Sequence, residues 1–349
     1  MANVVGTLTR AATRRDNEPL NILTFPTHER YQSQFAEMSA NFYLVRAPQV
    51  KDWNPTYATV PDNHILLDPA LGEKQIPAHV DFDLVLSQNK FGQYQLAQQI
   101  ARSLQLPLVS LEHTLPHPDW SRAKIEAMKQ LRGDINVFIS EYSVEQWGWR
   151  LDDPSVQVVH HAVNTDVFSP KIETSKNRHI LSVVNDWINR DWCCGYSLWR
   201  EVVDGLPTHV LGDTPGLSSP APNVAGLALA YAMSAVFLNT SLISPVPTAL
   251  LEAMSCGCAV VSTATCMIPS IIENGVNGFI SNDPAELRRY CELLLDDPKL
   301  QKKLGQAARE TITQRFSIKQ FLGRWEAIFR HAAEMAWTGE KHENSHQCS

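Results

Sequence analysis

The residues best placed to do chemistry lie between Asn239 and Phe279, in the run NTSLISPVPTALLEAMSCGCAVVSTATCMIPSIIENGVNGF. Pro247 suits the first turn of a helix, where a missing N–H costs nothing, and Ala249, Leu250, Leu251, Ala253 and Met254 continue it with helix-favouring apolar residues. Gly257 ends it. Cys258 to Thr263 is a short run rich in β-branched residues, as in a strand buried on both faces of a parallel sheet. A loop feeding a helix start leaves backbone N–H groups unpaired beside a partial positive charge, which suits phosphate oxygens. The amides of Thr248 and Ala249 are the donors on offer there, and Pro247 offers none. Glu252 sits one turn inside the helix, where a carboxylate accepts two hydroxyl hydrogen bonds such as a ribose diol presents.

The elements that must hold this segment alternate strand and helix along the chain. Apolar strands are expected over Leu20–Phe25, Asn41–Ala47, Leu84–Ser87, Pro107–Leu111 and Ile135–Ser140, then over His179–Val184, Thr208–Gly212 and Val236–Asn239. Helices are expected over Tyr31–Ala40, Tyr94–Leu104, Ser121–Arg132, Ala228–Ala235, Pro284–Leu295 and Ile318–Met335, with two polar-faced helices over Asp297–Phe316. This alternation predicts parallel sheets, whose ligands bind at the carboxyl ends of the strands. Pro48 to His79 holds five prolines without periodicity, so a long excursion built of short pieces is expected there.

The Asn239–Phe279 stretch resembles the donor-binding segment of family 4 retaining glycosyltransferases of the GT-B fold. Leu251-Glu252-Ala253-Met254, Cys256-Gly257, Val260-Val261, Ile268-Pro269-Ser270-Ile271, Gly275 and Gly278 match that family's pattern. The first Glu of its Glu-x7-Glu motif is replaced by Ser244. The resemblance implies an α/β protein with two doubly wound, Rossmann-like sheets facing a central cleft, the first on the acceptor side and the second binding a nucleotide sugar. It implies transfer of a sugar from a nucleoside-diphosphate donor, such as a UDP- or GDP-sugar, to an acceptor hydroxyl with retention, and no metal or other cofactor.

Carried over residue by residue, the resemblance makes His113, at the close of its strand, a neighbour of the donor sugar. Asn185 takes the place of the family's diphosphate-binding Arg, and Arg190 that of its Lys. Ser244, Pro247, Thr248, Ala249 and Glu252 complete the donor set, with His113, Arg190 and Glu252 as the catalytic group. Where the family often has a Gly-rich loop, this chain has Pro26-Thr27-His28-Glu29-Arg30, so His28 and Glu29 are candidates for acceptor hydroxyls or plain surface polar residues. Trp187, Trp192 and Trp199 could stack a base or pack in the core. Asp81-Phe82-Asp83 has the spacing of a metal motif but reads as a solvated strand entry. The substitutions at Asn185, Ser244 and Pro247 leave a second reading open, a GT-B protein that binds a nucleotide or glycan without catalysis. A nucleotide-sugar epimerase on the same fold is a third, less favoured reading, because its site needs acid/base carboxylate pairs that find no place in this sequence.

The implied domains are 1–170, with 1–18 loose, and 171–317, opening on a linker at Lys171–Asn177. A helix over 318–337 crosses back to the first domain, followed by a disordered tail at 338–349. At 349 residues, 44% hydrophobic and 19% charged, the chain suits two globular cores. No apolar run reaches the roughly 18 residues of a membrane helix. A net charge of −7 argues against a dominant nucleic-acid or anionic-lipid surface. Seven cysteines without zinc spacing read as small buried residues in a reducing, cytoplasmic setting.

Overall fold

The computed structural model describes residues 18–48, 50–55, 57–77, 80–170 and 177–335. Of the expectations for 1–18, Lys171–Asn177 and 338–349, the parts over 1–17, 171–176 and 338–349 lie outside the described residues. The chain divides into two units, one reaching His160 and resuming at Leu322, the other running from His161 to Phe321. The sequence-based boundary at 170 thus lies inside the second unit. There the Val163 N–H donates to the Phe316 carbonyl at 2.9 Å and Val163 bridges Ser317.

In the first unit, β1 (Leu20–Thr24) and β2 (Ala40–Val45) pair in parallel and are joined by a one-turn helix α1 (Glu29–Gln32) and a 3-10 turn at Ser33–Glu37. The continuous helix expected over Tyr31–Ala40 does not form. The Asn63 side-chain amide takes the carbonyls of Phe35, Met38 and Ala40, and Phe35 turns inward to stack on Phe42 at 5.2 Å. A helix cannot supply those carbonyls and keep its own ladder. The sheet continues with β3 (His64–Leu67), β4 (Leu84–Ser87), β5 (Leu108–Glu112), β6 (Ile135–Phe138) and β7 (Val156–Val158). Its connecting helices are α2 (Tyr94–Leu104), α3 (Arg122–Lys129) and α4 (Glu141–Gln146). The strand order β3-β2-β1-β4-β5-β6-β7 reverses direction between β1 and β4, which is where a doubly wound sheet opens its ligand crevice.

In the second unit, β8 (Asn177–Val183), β9 (Thr208–Leu211), β10 (Ser234–Asn239), β11 (Ala259–Ser262) and β12 (Phe279–Ile280) form a parallel sheet in the order β12-β11-β10-β8-β9. Its reversal point lies between β8 and β10. The helices are α5 (Asp191–Cys194), α6 (Tyr196–Val203), α7 (Val224–Met233), α8 (Thr248–Ser255), α9 (Ile268–Ile271), α10 (Pro284–Asp296) and α11 (Pro298–Arg315). Two helices were expected over Asp297–Phe316, but α11 is a single one. Gly305 sits in its middle because a Cβ there would come within 2.2 Å of the Gly257 carbonyl oxygen. Close packing of α11 on the turn that ends α8 offsets the weak helix preference of glycine. The last helix, α12 (Ile318–Glu334), packs from Leu322 onward on the first sheet, where the Trp325 indole donates to Tyr31 Oη at 3.0 Å. No helix among the described residues is long and apolar enough to cross a membrane.

Candidate functional site

The second unit gathers its candidate residues at the carboxyl ends of β8 and β10. After β8, Asn185 spends its side chain on structure, its Oδ1 accepting the Asp213 N–H at 2.9 Å. Asp186, with a left-handed φ of 50°, donates its N–H to the Asp213 carbonyl at 2.7 Å. Trp187 is fully buried, its indole N–H reaching the Cys194 carbonyl at 2.9 Å, and Trp199 packs beside it at 4.9 Å. Those two tryptophans are core residues and not stacking platforms. Trp192, at 52% exposure, is on the surface. The pinned loop delivers Arg190 to the start of α5, exposed, with one long contact of 3.4 Å to the Asn185 carbonyl.

The loop after β10 is laced to the same helix. The Cys193 carbonyl accepts the N–H groups of Leu242 and Ile243 at 2.9 and 3.0 Å, and Thr240 Oγ1 donates to the Gly195 carbonyl at 2.9 Å. Gly195 has to be glycine. Its φ is +65°, and a Cβ would lie 2.1 Å from the Thr240 carbonyl oxygen. This lacing fixes the approach to α8. Pro247 is the residue that caps α8, one position earlier than the first-turn place read from the sequence. Its carbonyl accepts from Leu250 at 3.1 Å and Leu251 at 3.4 Å. The N–H groups of Thr248 and Ala249 have no acceptor among the described residues, and no side chain caps the helix. Ser244 is half-buried in the same loop and Thr248 is exposed. Two donors and the helix dipole therefore remain available to an anion.

Glu252 follows one turn later, 6% exposed. Its Oε2 accepts the Tyr231 hydroxyl at 3.0 Å, a contact buried on both sides. Tyr231 escaped the sequence reading, although a lone tyrosine in an otherwise apolar α7 signals a buried hydroxyl in need of a partner.

In the first unit the candidates lie at the ends of β1 and β5. His28, at a left-handed φ of 46°, and His113 bring their rings to a centroid distance of 4.1 Å, with Tyr31 edge-on to His113 at 4.6 Å. Glu29, read as an acceptor ligand, turns inward: it is 8% exposed and its Oε1 accepts the Asn54 N–H at 2.9 Å. Beneath His113, Glu112 is sealed in the sheet end. Its Oε1 accepts both the N–H and the hydroxyl of Thr114, at 3.0 and 2.6 Å, and Lys90 Nζ stands 3.8 Å from its other oxygen. Burial pushes the Glu112 carboxyl up, with Lys90 and Thr114 pulling the other way, and burial pushes the Lys90 ammonium down against the pull of Glu112. Trp147 donates its indole N–H to the Thr114 carbonyl at 2.9 Å, so the turn carrying His113 is held from three sides. Asp83 is also committed, its carboxylate accepting the Asn21 N–H at 2.7 Å. Among the described residues no group of three or more His, Cys, Asp or Glu side chains could hold a metal ion.

These two parallel-sheet α/β units match solved glycosyltransferase structures of the GT-B fold. HepE from Anabaena, solved in complex with UDP-glucose, superposes with a TM-score of 0.70 at 14% identity, over 89% of this chain and 100% of that one. Sucrose-phosphate synthase from Thermosynechococcus elongatus gives 0.68 at 14% identity, over 89% and 98%. Residues 223–311, which hold α7, β10, α8, β11 and most of α11, match the family model described as Glycosyl transferases group 1. The N-acetyl-alpha-D-glucosaminyl L-malate synthase of Bacillus anthracis is 31% identical over 109 residues, a match that spans 31% of this chain and 28% of that protein's length.

Proposed function

We propose that this chain is a retaining glycosyltransferase of family 4 that moves a sugar from a nucleoside-diphosphate donor, such as a UDP- or GDP-sugar, to an acceptor hydroxyl. The observation that carries this reading is the pair of unclaimed N–H groups at Thr248 and Ala249, one turn ahead of a Glu252 carboxylate fixed by Tyr231. The diphosphate lies against those amides and Arg190, and Glu252 accepts the ribose hydroxyls. In the reaction the bond from the anomeric carbon to the diphosphate oxygen breaks, and the electron pair leaves on that oxygen. The acceptor oxygen bonds the same face of the carbon, and its proton passes to the departing diphosphate. Negative charge grows on the diphosphate, so preorganised donors there lower the barrier. The reading assigns that neutralisation to protein groups, with no metal. His113, at the end of β5, is assigned to the sugar and the first unit to the acceptor. Buried thiols at Cys193, Cys194 and Cys291 favour a reducing, cytoplasmic setting.

A second reading, nucleotide or glycan binding without turnover, draws on Asn185, whose side chain is consumed by Asp213, and on Ser244 and Pro247, which replace an acid and an amide donor. Incubation of the pure protein with a panel of UDP- and GDP-sugars separates the two. Transfer or hydrolysis that is lost in Glu252→Ala supports the enzyme, and nucleotide binding with no turnover of any donor supports the binder. The anomeric configuration of the product, read by proton NMR coupling constants, tests retention.

A further inference from the structure

The turn that leaves β4 reverses the usual rule for a surface turn: its lysine goes inside and its phenylalanine stays out. Lys90 is 6% exposed and Phe91, the next residue, is 49% exposed. A lysine is almost never buried without partners, because taking an ammonium out of water is costly. Three contacts offset that cost. Lys90 Nζ donates to the Leu131 carbonyl at 2.8 Å, stands 3.8 Å from Glu112 Oε2 and lies 5.4 Å from the centre of the Trp147 ring. With Lys90 anchored inward and the Phe91 N–H tied to Asn89 Oδ1 at 2.7 Å, the Phe91 side chain is held at the surface.

Other aromatic rings brace it there. Trp120, in the turn after β5, makes a T-shaped contact with Phe91 at 6.0 Å, and Trp147 makes another with Trp120 at 6.2 Å. Trp147 in turn holds the Thr114 carbonyl, so this ladder of rings ends on the turn that carries His113. Lys124 Nζ lies 4.3 Å from the centre of the Trp120 ring and covers one of its faces, which leaves Phe91 as the open ring. β4 and β5 are neighbours in the sheet, and both turns leave their carboxyl ends, the side on which a doubly wound sheet binds its ligands. A rigid, exposed aromatic ring on that side suits an uncharged partner with carbon-bound hydrogens on its face. A pyranose has such a face, and the Lys90 ammonium beside Phe91 is turned away from it.

We propose that Phe91, positioned by Trp120, stacks on a pyranose ring of the acceptor, and that the acceptor is a neutral carbohydrate. This deepens the transferase reading by naming the acceptor class, and it rests on that reading for the word acceptor. Binding itself needs neither donor nor turnover.

The test applies the full chain, fluorescently labelled and without donor, to an array of neutral and acidic oligosaccharides. Retention is expected on at least one neutral glycan, and calorimetry with the best-retained neutral glycan gives the dissociation constant. Phe91→Ala raises that constant about tenfold, the size of an aromatic stacking contribution, while its melting temperature and nucleotide affinity stay those of the parent. Phe91→Leu, which keeps the surface apolar, weakens binding as the alanine variant does, and Phe91→Trp binds at least as tightly as the parent. Retention on no neutral glycan, an unchanged constant in Phe91→Ala, or a Phe91→Leu variant equal to the parent overturns the proposal, the last by marking the surface as apolar without preference for a sugar. Glycan binding by a protein that turns over no donor removes the transferase reading and leaves the glycan surface standing. Transfer confined to acceptors that carry no sugar does the reverse.

Discussion

Tyr231 Oη donates to Glu252 Oε2 across 3.0 Å, joining α7 to α8 in a buried contact. The bond sets the rotamer of the carboxylate that the donor ribose is proposed to meet. It also explains how an acid stays buried on a helix whose other inward residues are apolar.

Tyr231→Phe removes that donor from the buried carboxylate. The fold loses about 1.5–3 kcal/mol in urea unfolding, the cost of a hydrogen bond to a charged group. Donor KM rises severalfold, because the carboxylate is no longer held in place. Unchanged stability and KM together show that the hydroxyl contributes neither to the fold nor to the site.

Arg190 stands exposed at the start of α5, its guanidinium in a long contact of 3.4 Å with the Asn185 carbonyl. Arg190→Ala therefore leaves the melting temperature nearly unchanged. It weakens nucleoside diphosphate binding about 10- to 100-fold, as expected for charge-assisted hydrogen bonds of about 1.5–3 kcal/mol. Calorimetric titration reads the affinity and scanning calorimetry the stability. Arg190→Lys recovers part of the affinity, since a point charge replaces a planar fork.

The Lys90 and Glu112 pair makes a prediction in pH. Lys90→Met leaves Glu112 as a buried carboxylate with its attractive cation gone, a loss of about 3–5 kcal/mol near neutral pH. Burial already raises the Glu112 carboxyl above its ordinary 4.5, and losing Lys90 raises it further. The folded variant therefore binds a proton that the unfolded chain has released. Its stability is greatest below 4.5 and falls as pH rises through the elevated value of the folded state. The deficit relative to the parent, measured by urea unfolding from pH 5 to 8, grows with pH. A deficit that is constant over that range contradicts the placement.

Strands built of local apolar runs were legible in the sequence: β10, α8 and β11 fall close to where Val236–Asn239, the helix after Pro247 and Cys258–Thr263 placed them. What was not legible depends on partners distant in the chain. Asn63 ends the helix expected over Tyr31–Ala40, and Asn54 turns Glu29 from a surface acid into a buried staple. Gly305 looks like a break in α11 until the Gly257 carbonyl beneath it is seen. The start of α8 was read by local spacing, so the open N–H groups of Thr248 and Ala249 were legible, while the Tyr231 hydroxyl, 21 residues from Glu252, was not.

Binding of a diphosphate to the α8 amides is tested by Thr248→Pro, which leaves the helix undisturbed. Proline at a first helical position costs nothing, and Pro247 already has the extended backbone, ψ 106°, that a following proline requires. UDP and GDP are titrated by calorimetry into the parent and the variant at matched salt. An unchanged melting temperature is expected, with the affinity of the tighter nucleotide reduced about tenfold, the loss of one charge-assisted hydrogen bond. Equal affinity in the two proteins contradicts it.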